Sequence, residues 1–105
     1  MKFEKDGQIA VVYSPCYGCG WSTNCSDKYV DFLRFDSEIV QAVLDKDVDK
    51  ATEIAKKFCD GDVYFSDRQE LRIQWLTKGT GFIIKEHDGY ERIEILFYPN
   101  DCSVA

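Results

Sequence analysis

The segment "GFIIKEHDGYERIEILFY", residues 81 to 98, constrains the fold more than any other part of the chain. Two runs rich in β-branched and aromatic residues flank Asp88-Gly89. A two-residue type I′ turn needs positive φ at both central positions, and Asp-Gly is favoured there for that reason. Such a turn sets the register by itself: His87 faces Tyr90, Glu86 faces Glu91, Ile84 faces Ile93 and Phe82 faces Ile95. The four apolar residues then share one face with Lys85 and Arg92 on the other, and a slip of one residue would reverse this. Phe82, Ile84, Ile93 and Ile95 are expected to be buried against helices. Just upstream, Leu71, Ile73 and Trp75 alternate with Arg72 and Gln74 at the period of a half-buried strand, and Lys78-Gly79-Thr80-Gly81 turns the chain into the hairpin. Residues 71 to 98 thus read as a three-stranded antiparallel meander, with residues 8 to 13 as a fourth strand.

The middle of the chain supplies helices to cover that sheet. Asp36 can cap a helix from about Ser37 whose Ile39, Val40, Val43 and Leu44 form an apolar stripe. Asp47 can cap another, with Val48, Ala51, Ile54, Ala55 and Phe58 on one side and Gly61 as a stop. Residues 26 to 35, with Tyr29, Phe32 and Leu33, suit a short helix capped by Ser26, although their aromatic and β-branched content also permits a strand. The expected fold is α+β: a four-stranded, mainly antiparallel sheet, made of the N-terminal strand and the C-terminal meander, with two or three helices packed on one face. With 105 residues the chain reads as a single domain, residues 1–105. At this length it buries roughly two-thirds of its extended surface, enough for a core without a metal or disulfide.

Charge narrows the partners. The net charge is −6, and residues 36 to 70 carry −5 of it, ten acids against five bases. Nucleic-acid binding needs cations to displace counterions from phosphates, and the chain has no basic run or basic-aromatic stripe, so no direct nucleic-acid partner is expected. An acidic face can instead meet a basic protein surface, or simply be a solvated helix face. The apolar run at residues 9 to 13 is far short of the ~18 residues that cross a bilayer, and "MKFEKDGQ" is not a secretory leader. No membrane partner and a cytoplasmic location are therefore expected. Five cysteines, an odd count in such a setting, are expected to be reduced.

The chemically dense stretch is "SPCYGCGWSTNC", residues 14 to 25, which packs three cysteines, two glycines, a proline, a tryptophan and three hydroxyl residues into twelve positions. Cys16 and Cys19 form a Cys-x2-Cys knuckle with Cys25 nearby. A zinc site would need a fourth ligand from the scattered Cys59, His87 or Cys102, so no metal is expected; were one present, Cys16, Cys19 and Cys25 would hold it. "YGCGWS" faintly echoes the surround of a papain-type nucleophile. That chemistry needs a base or cation beside the thiol, and no Lys or Arg lies between residues 6 and 27, so no catalytic residue is assigned. Glu86 opposite Glu91 is the other pair with acid–base chemistry, and a solvated turn more readily lets the two splay apart. The better chemistry is recognition. Gly18 and Gly20 let successive backbone N–H groups form a nest for an anion or carbonyl, Ser22 and Thr23 add hydroxyls, and Tyr17 and Trp21 offer flat faces. The spacing fits neither a Walker A loop nor a dinucleotide fingerprint. The same stretch also reads as a compact loop whose Trp21 plugs the end of the sheet.

"VVYSPCYGCGWST" and "IQWLTKGTGFIIKEHDGYERI" together resemble the signature stretches of a family of small, mostly uncharacterised proteins of tailed bacteriophages and prophages. In that family a V-V-x-S-P-G-Y/F-G-A-G-W-S-T loop follows the first strand, an F-D-P-E-type helix start comes next, and a tryptophan strand leads through G-T-x-F to a D-G hairpin. Phe35-Asp36-Ser37-Glu38 stands at the helix start here, and residues 45 to 65 are the least similar. Cys16 and Cys19 depart from the pattern, where the family has glycine and alanine, which weighs against a zinc site. The resemblance implies Ser14, Tyr17, Gly18, Gly20, Trp21, Ser22 and Thr23, with Glu86, Asp88 and Glu91 of the hairpin, as the ligand-binding set. It implies a setting, not an activity: small acidic phage proteins that act against host defence by occupying a protein surface or sequestering a small signal.

The expected function is a non-catalytic, phage-type accessory protein, a counter-defence factor that binds a small nucleotide-like ligand through residues 14 to 23, without a cofactor, in the host cytoplasm. The alternative is an acidic inhibitor that uses residues 36 to 70 on a basic host protein. A small zinc-binding protein is a more distant reading. A small molecule or a host protein is thus the expected partner, and self-association into a homo-oligomer is compatible with either.

Overall fold

A computed structural model describes residues 2–24, 27–59, 69–96 and 103–105, with the backbone alone for Asn24, Asp27 and Ser103. Strands β1 (Glu4–Lys5) and β2 (Gln8–Tyr13) form an antiparallel pair. Two 3-10 turns, Ser22–Asn24 and Asp27–Tyr29, lead into helices α1 (Val30–Phe35), α2 (Ser37–Leu44) and α3 (Val48–Phe58). Strands β3 (Arg72–Thr77), β4 (Gly81–His87), β5 (Tyr90–Leu96) and β6 (Ser103–Val104) follow. The class is α+β, and among the described residues no helix is long and apolar enough to cross a membrane.

The helix starts are built as their sequences dictate. The Asp36 side chain accepts from the backbone N–H groups of Glu38 and Ile39, both at 3.1 Å, and Asp47 accepts from Lys50 at 3.1 Å. These bonds satisfy donors that the first helical turn leaves without a partner. Ile39, Val40 and Ala42 of α2, with Ala51 and Ala55 of α3, are buried. Leu44 and Phe58, placed on the apolar stripes by their spacing, are instead 43% and 51% exposed; Phe58 stacks on Phe32 with ring centroids 3.7 Å apart. Ser26 and Gly61, the other cap and stop, lie outside the described residues.

The single four-stranded sheet is corrected. β3 pairs with β2, from Gln8 opposite Thr77 to Tyr13 opposite Arg72, and the first sheet has the order β1-β2-β3. The hairpin stands apart in a second sheet of order β5-β4-β6. The reason lies in β2. Residues 9 to 12, Ile-Ala-Val-Val, are apolar without alternation and all buried, which requires cover on both faces. Ala10 and Val12 face a cluster with Trp21, Leu33, Ile39, Val40, Ala51 and Ala55. Ile9 and Val11 face a second cluster with Phe35, Leu76 and Phe82. The first sheet is thus sandwiched between helices and hairpin, so the meander breaks at residues 78 to 81. There Lys78 N–H turns back to Gly7 O at 3.0 Å, and Gly79 N–H donates to Ala105 O at 2.8 Å.

The hairpin register matches the sequence expectation at every pair, including Phe82 with Ile95, Ile84 with Ile93 and Glu86 with Glu91. Lys85 and Arg92 are exposed. Burial of the apolar face falls off along it: Phe82 is fully buried, Ile84 and Ile93 are half-buried, and Ile95 is 51% exposed. Their neighbours are β2, Leu76 and Phe35, in place of the two helices expected.

Candidate functional site

β2 ends where Pro15 leaves no N–H for a further ladder bond. From there residues 14 to 23 wrap around the β4–β5 turn. Gly18 and Gly20 take φ of 78° and 69°, left-handed values that side chains with a Cβ rarely adopt. The resulting curve aims backbone N–H groups inward, and what they meet is a side chain of the hairpin itself. Glu91 is 0% exposed. One of its oxygens accepts from Ser14 N–H at 3.0 Å. The other accepts from Trp21 N–H at 2.9 Å, from Thr23 N–H at 3.0 Å and from the Thr23 hydroxyl. The Glu91 backbone N–H in turn donates to Ser14 O at 2.9 Å. Loop donors do converge, but they are the separated amides of Ser14, Trp21 and Thr23 with the Thr23 hydroxyl, not a run of successive N–H groups, and the carboxyl group they meet belongs to the chain itself.

The hairpin turn closes the same joint. Gly18 N–H donates to Asp88 O at 2.5 Å. A Cβ on Gly89, at φ +84°, would lie 2.7 Å from Cys19 N and 2.8 Å from Gly18 N, so loop and turn backbones are in direct contact. Further side chains brace the loop, although Gln69 Oε1 is buried without a hydrogen-bond partner among the described residues. Gln69 Nε2 donates to Ser14 Oγ at 3.0 Å and to Gly20 O at 2.8 Å. Arg34, itself buried, donates through Nε to Ser22 Oγ at 2.9 Å. Trp21 is 0% exposed and its indole N–H donates to Leu33 O at 2.7 Å. Its flat faces are inside the core, which corrects its assignment as a contact surface. Glu86 and Glu91 pair in register but have separate duties, since Glu86 accepts from Gly89 N–H at 2.5 Å at the exposed end of the turn.

Cys16 and Cys19 form a disulfide, which corrects the expectation of reduced thiols for this pair. The loop brings their Cα atoms to 5.4 Å, well within bridging distance. A disulfide offers no thiolate to a metal. Cys25 lies outside the described residues, and among the described residues no three His, Cys, Asp or Glu side chains gather as a metal site.

Of the ten sequence-assigned residues, Ser14, Gly20, Trp21, Ser22 and Glu91 are buried and Thr23 is partly so; Tyr17, Gly18, Glu86 and Asp88 face outward. Tyr17, 71% exposed, lies against Tyr90 with ring centroids 4.8 Å apart. Tyr90 shares the outer face of the hairpin with Lys85, His87 and Arg92, as the register dictates. Lys85 pairs with Glu94 at 3.0 Å. Tyr90 and Arg92 were not among the residues assigned from sequence. Their alternation with Glu91 was the available signal, since the strand that turns Glu91 inward must turn both outward. Comparisons with protein-family models, curated proteins and solved structures give no match.

Proposed function

We propose that this is a non-catalytic binding protein that acts by occupying a surface of another protein, through the tip formed by Tyr17 and the outer face of the hairpin. The carrying observation is the disposition of the loop. Three of its N–H donors, those of Ser14, Trp21 and Thr23, go to Glu91 and that of Gly18 goes to Asp88 O, while the tip presents the Tyr17–Tyr90 pair beside Arg92 and His87. Tyrosine and arginine on an open face are the residues that dominate protein–protein contacts. The likeness to phage proteins supplies the setting, a counter-defence factor that engages a host protein. A nucleotide-like ligand is the second reading, favoured by the exposed ring of Tyr17, on which a base could stack.

The acidic-helix alternative has less to stand on. Residues 36 to 58 hold six acids and four bases, a net −2, so three of the five excess charges of this third fall in residues 59 to 70. Of these, residues 60 to 68 lie outside the described residues.

The test is affinity capture from a bacterial host extract, comparing wild type, a Tyr17→Ala/Tyr90→Ala double variant and Leu44→Ser, with native mass spectrometry of each complex. The expected result is a stoichiometric partner retained by wild type and Leu44→Ser and lost by the double variant. A partner that survives the double variant, or a nucleotide-mass adduct on the protein as purified, overturns the reading.

A further inference from the structure

The two cysteines of the disulfide differ in their access to solvent. Cys19 is 2% exposed, while Cys16 is only partly buried and precedes the exposed Tyr17 and Gly18. Thiol–disulfide exchange proceeds by in-line attack of a thiolate on one sulfur while the other leaves, so the accessible sulfur is attacked and the buried one departs. The bond also lies in a mechanically connected place. Gly18, between the cysteines, donates to Asp88 O, and Cys19 N lies where a Cβ on Gly89 would collide. Two unbonded sulfurs need van der Waals separation, so opening the bond widens the four-residue loop that lies directly against the turn.

We infer that Cys16–Cys19 is a reversible thiol–disulfide exchange site, attacked at Cys16 by a dithiol reductant, whose opening loosens the loop from the hairpin turn. The dithiol's thiolate attacks Cys16 Sγ, the Cys16–Cys19 bond breaks, and Cys19 leaves as a thiolate that takes up one proton. The reductant's second thiol then attacks its own sulfur in the mixed disulfide. Cys16 is expelled and takes up the second proton, and the reductant departs as its disulfide. Two electrons and two protons pass to the protein. A dithiol protein or a small dithiol satisfies this chemistry, and the site stands whatever the tip binds.

The experiment uses the full chain. Glutathione disulfide is given to Cys19→Ser and to Cys16→Ser, and adducts are located by peptide mapping, which separates them from Cys25, Cys59 and Cys102. The expected result is an adduct on Cys16 in the first variant, forming at least tenfold faster than any on Cys19 in the second. Equal rates, or none on Cys16, overturn the polarity. Because either variant could fold poorly, the unmodified protein is also titrated with dithiothreitol while amide NMR is recorded. Gly18 and Gly89 resonances are expected to shift on reduction, to return on reoxidation, and to do so while the Trp21 indole signal stays in place. A bond that dithiothreitol leaves intact in the folded protein, or Gly18 and Gly89 signals unchanged by its opening, overturns the proposal.

Discussion

Replacing Glu91 tests the central joint of the structure. Three backbone N–H groups and one hydroxyl converge on its carboxylate, and a backbone N–H can only donate. In Glu91→Gln the shape is kept but one oxygen becomes an NH2. Because one oxygen serves Ser14 and the other serves Trp21 and Thr23, the amide settles with its oxygen toward the pair and its NH2 toward Ser14. The Ser14 N–H is then buried against another donor, at about 1–3 kcal/mol, and the other bonds lose the strength that a charged acceptor gives, on the order of 1 kcal/mol in all. The variant is expected to lose about 3 kcal/mol. In Glu91→Ala all three N–H groups lose their acceptor, and about 5 kcal/mol is expected after water refills part of the space. That approaches the whole stability of an ordinary domain of this size, roughly 5–15 kcal/mol. Urea unfolding followed by tryptophan fluorescence measures this: with an m-value of ~1.5 kcal/mol/M, Glu91→Gln lowers the midpoint by about 2 M. Glu86→Gln, at the exposed end of the same turn, is the control and should lose less than ~1 kcal/mol. A Glu91→Gln variant within ~0.5 kcal/mol of wild type, as at a surface site, would refute the internal-anion reasoning.

Gly89→Ala should lose about 3 kcal/mol, because its Cβ meets backbone atoms of Gly18 and Cys19 in addition to the left-handed strain. Gly79→Ala, at φ +89° with nothing within 4 Å, should lose only about 1 kcal/mol; equal losses by thermal melting would show that the loop does not press on the turn. Trp21→Ala should lose about 3–5 kcal/mol as a core aromatic, and a soluble variant of near wild-type stability would return Trp21 to the surface. Phe82→Ala should lose about 3–5 kcal/mol while Ile95→Ala stays under ~1 kcal/mol, a contrast that chemical denaturation would resolve and that a hairpin face buried evenly along its length would abolish.

The hairpin register is legible in full, because Asp88-Gly89 fixes it through local geometry alone, whereas the cover over its apolar face is not. The two helix starts were legible for the same reason, since each cap depends on one side chain and its own first turn. Sheet partnership is not local: β3 is followed in sequence by β4 but takes β2 as its ladder neighbour, so the expected meander does not form. Residues 9 to 12 carried the correction, since four consecutive buried apolar residues call for a layer on each side of the strand. The nest was legible as chemistry but not in its occupant. Residues 14 to 23 are rich in donors, and the acceptor they meet, Glu91, stands on the same face of the hairpin as Phe82, Ile84 and Ile93. A carboxylate at an inward register position needs donors, and a donor-rich loop needs an acceptor. The two requirements together identify the pair, and neither does so alone. The disulfide depended on loop curvature, which spacing does not reveal.

The joint also explains why binding chemistry and structural chemistry are hard to separate in this loop. Among the described residues the two sheets share no ladder, and at this end of the molecule they are fastened by Glu91, by the bond from its backbone to Ser14, and by the contact of Gly18 with Asp88 and Gly89. Residues that hold the fastener must be glycines, hydroxyls and backbone amides for the same physical reasons that would let them hold a ligand. What differs is direction. The curve that turns Ser14, Trp21 and Thr23 amides inward turns Tyr17 outward, and the strand that sends Glu91 inward sends Tyr90 and Arg92 outward. The tip therefore takes its shape from the buried carboxylate beneath it. A substitution at Glu91 would disturb Tyr17 and Tyr90 through the loop without touching them, whereas substitution of Tyr17 would leave the fastener in place. The proposed recognition surface is thus separable from folding in one direction only, which is why the outward residues, and not the densest part of the motif, are the ones through which the proposal is to be tested.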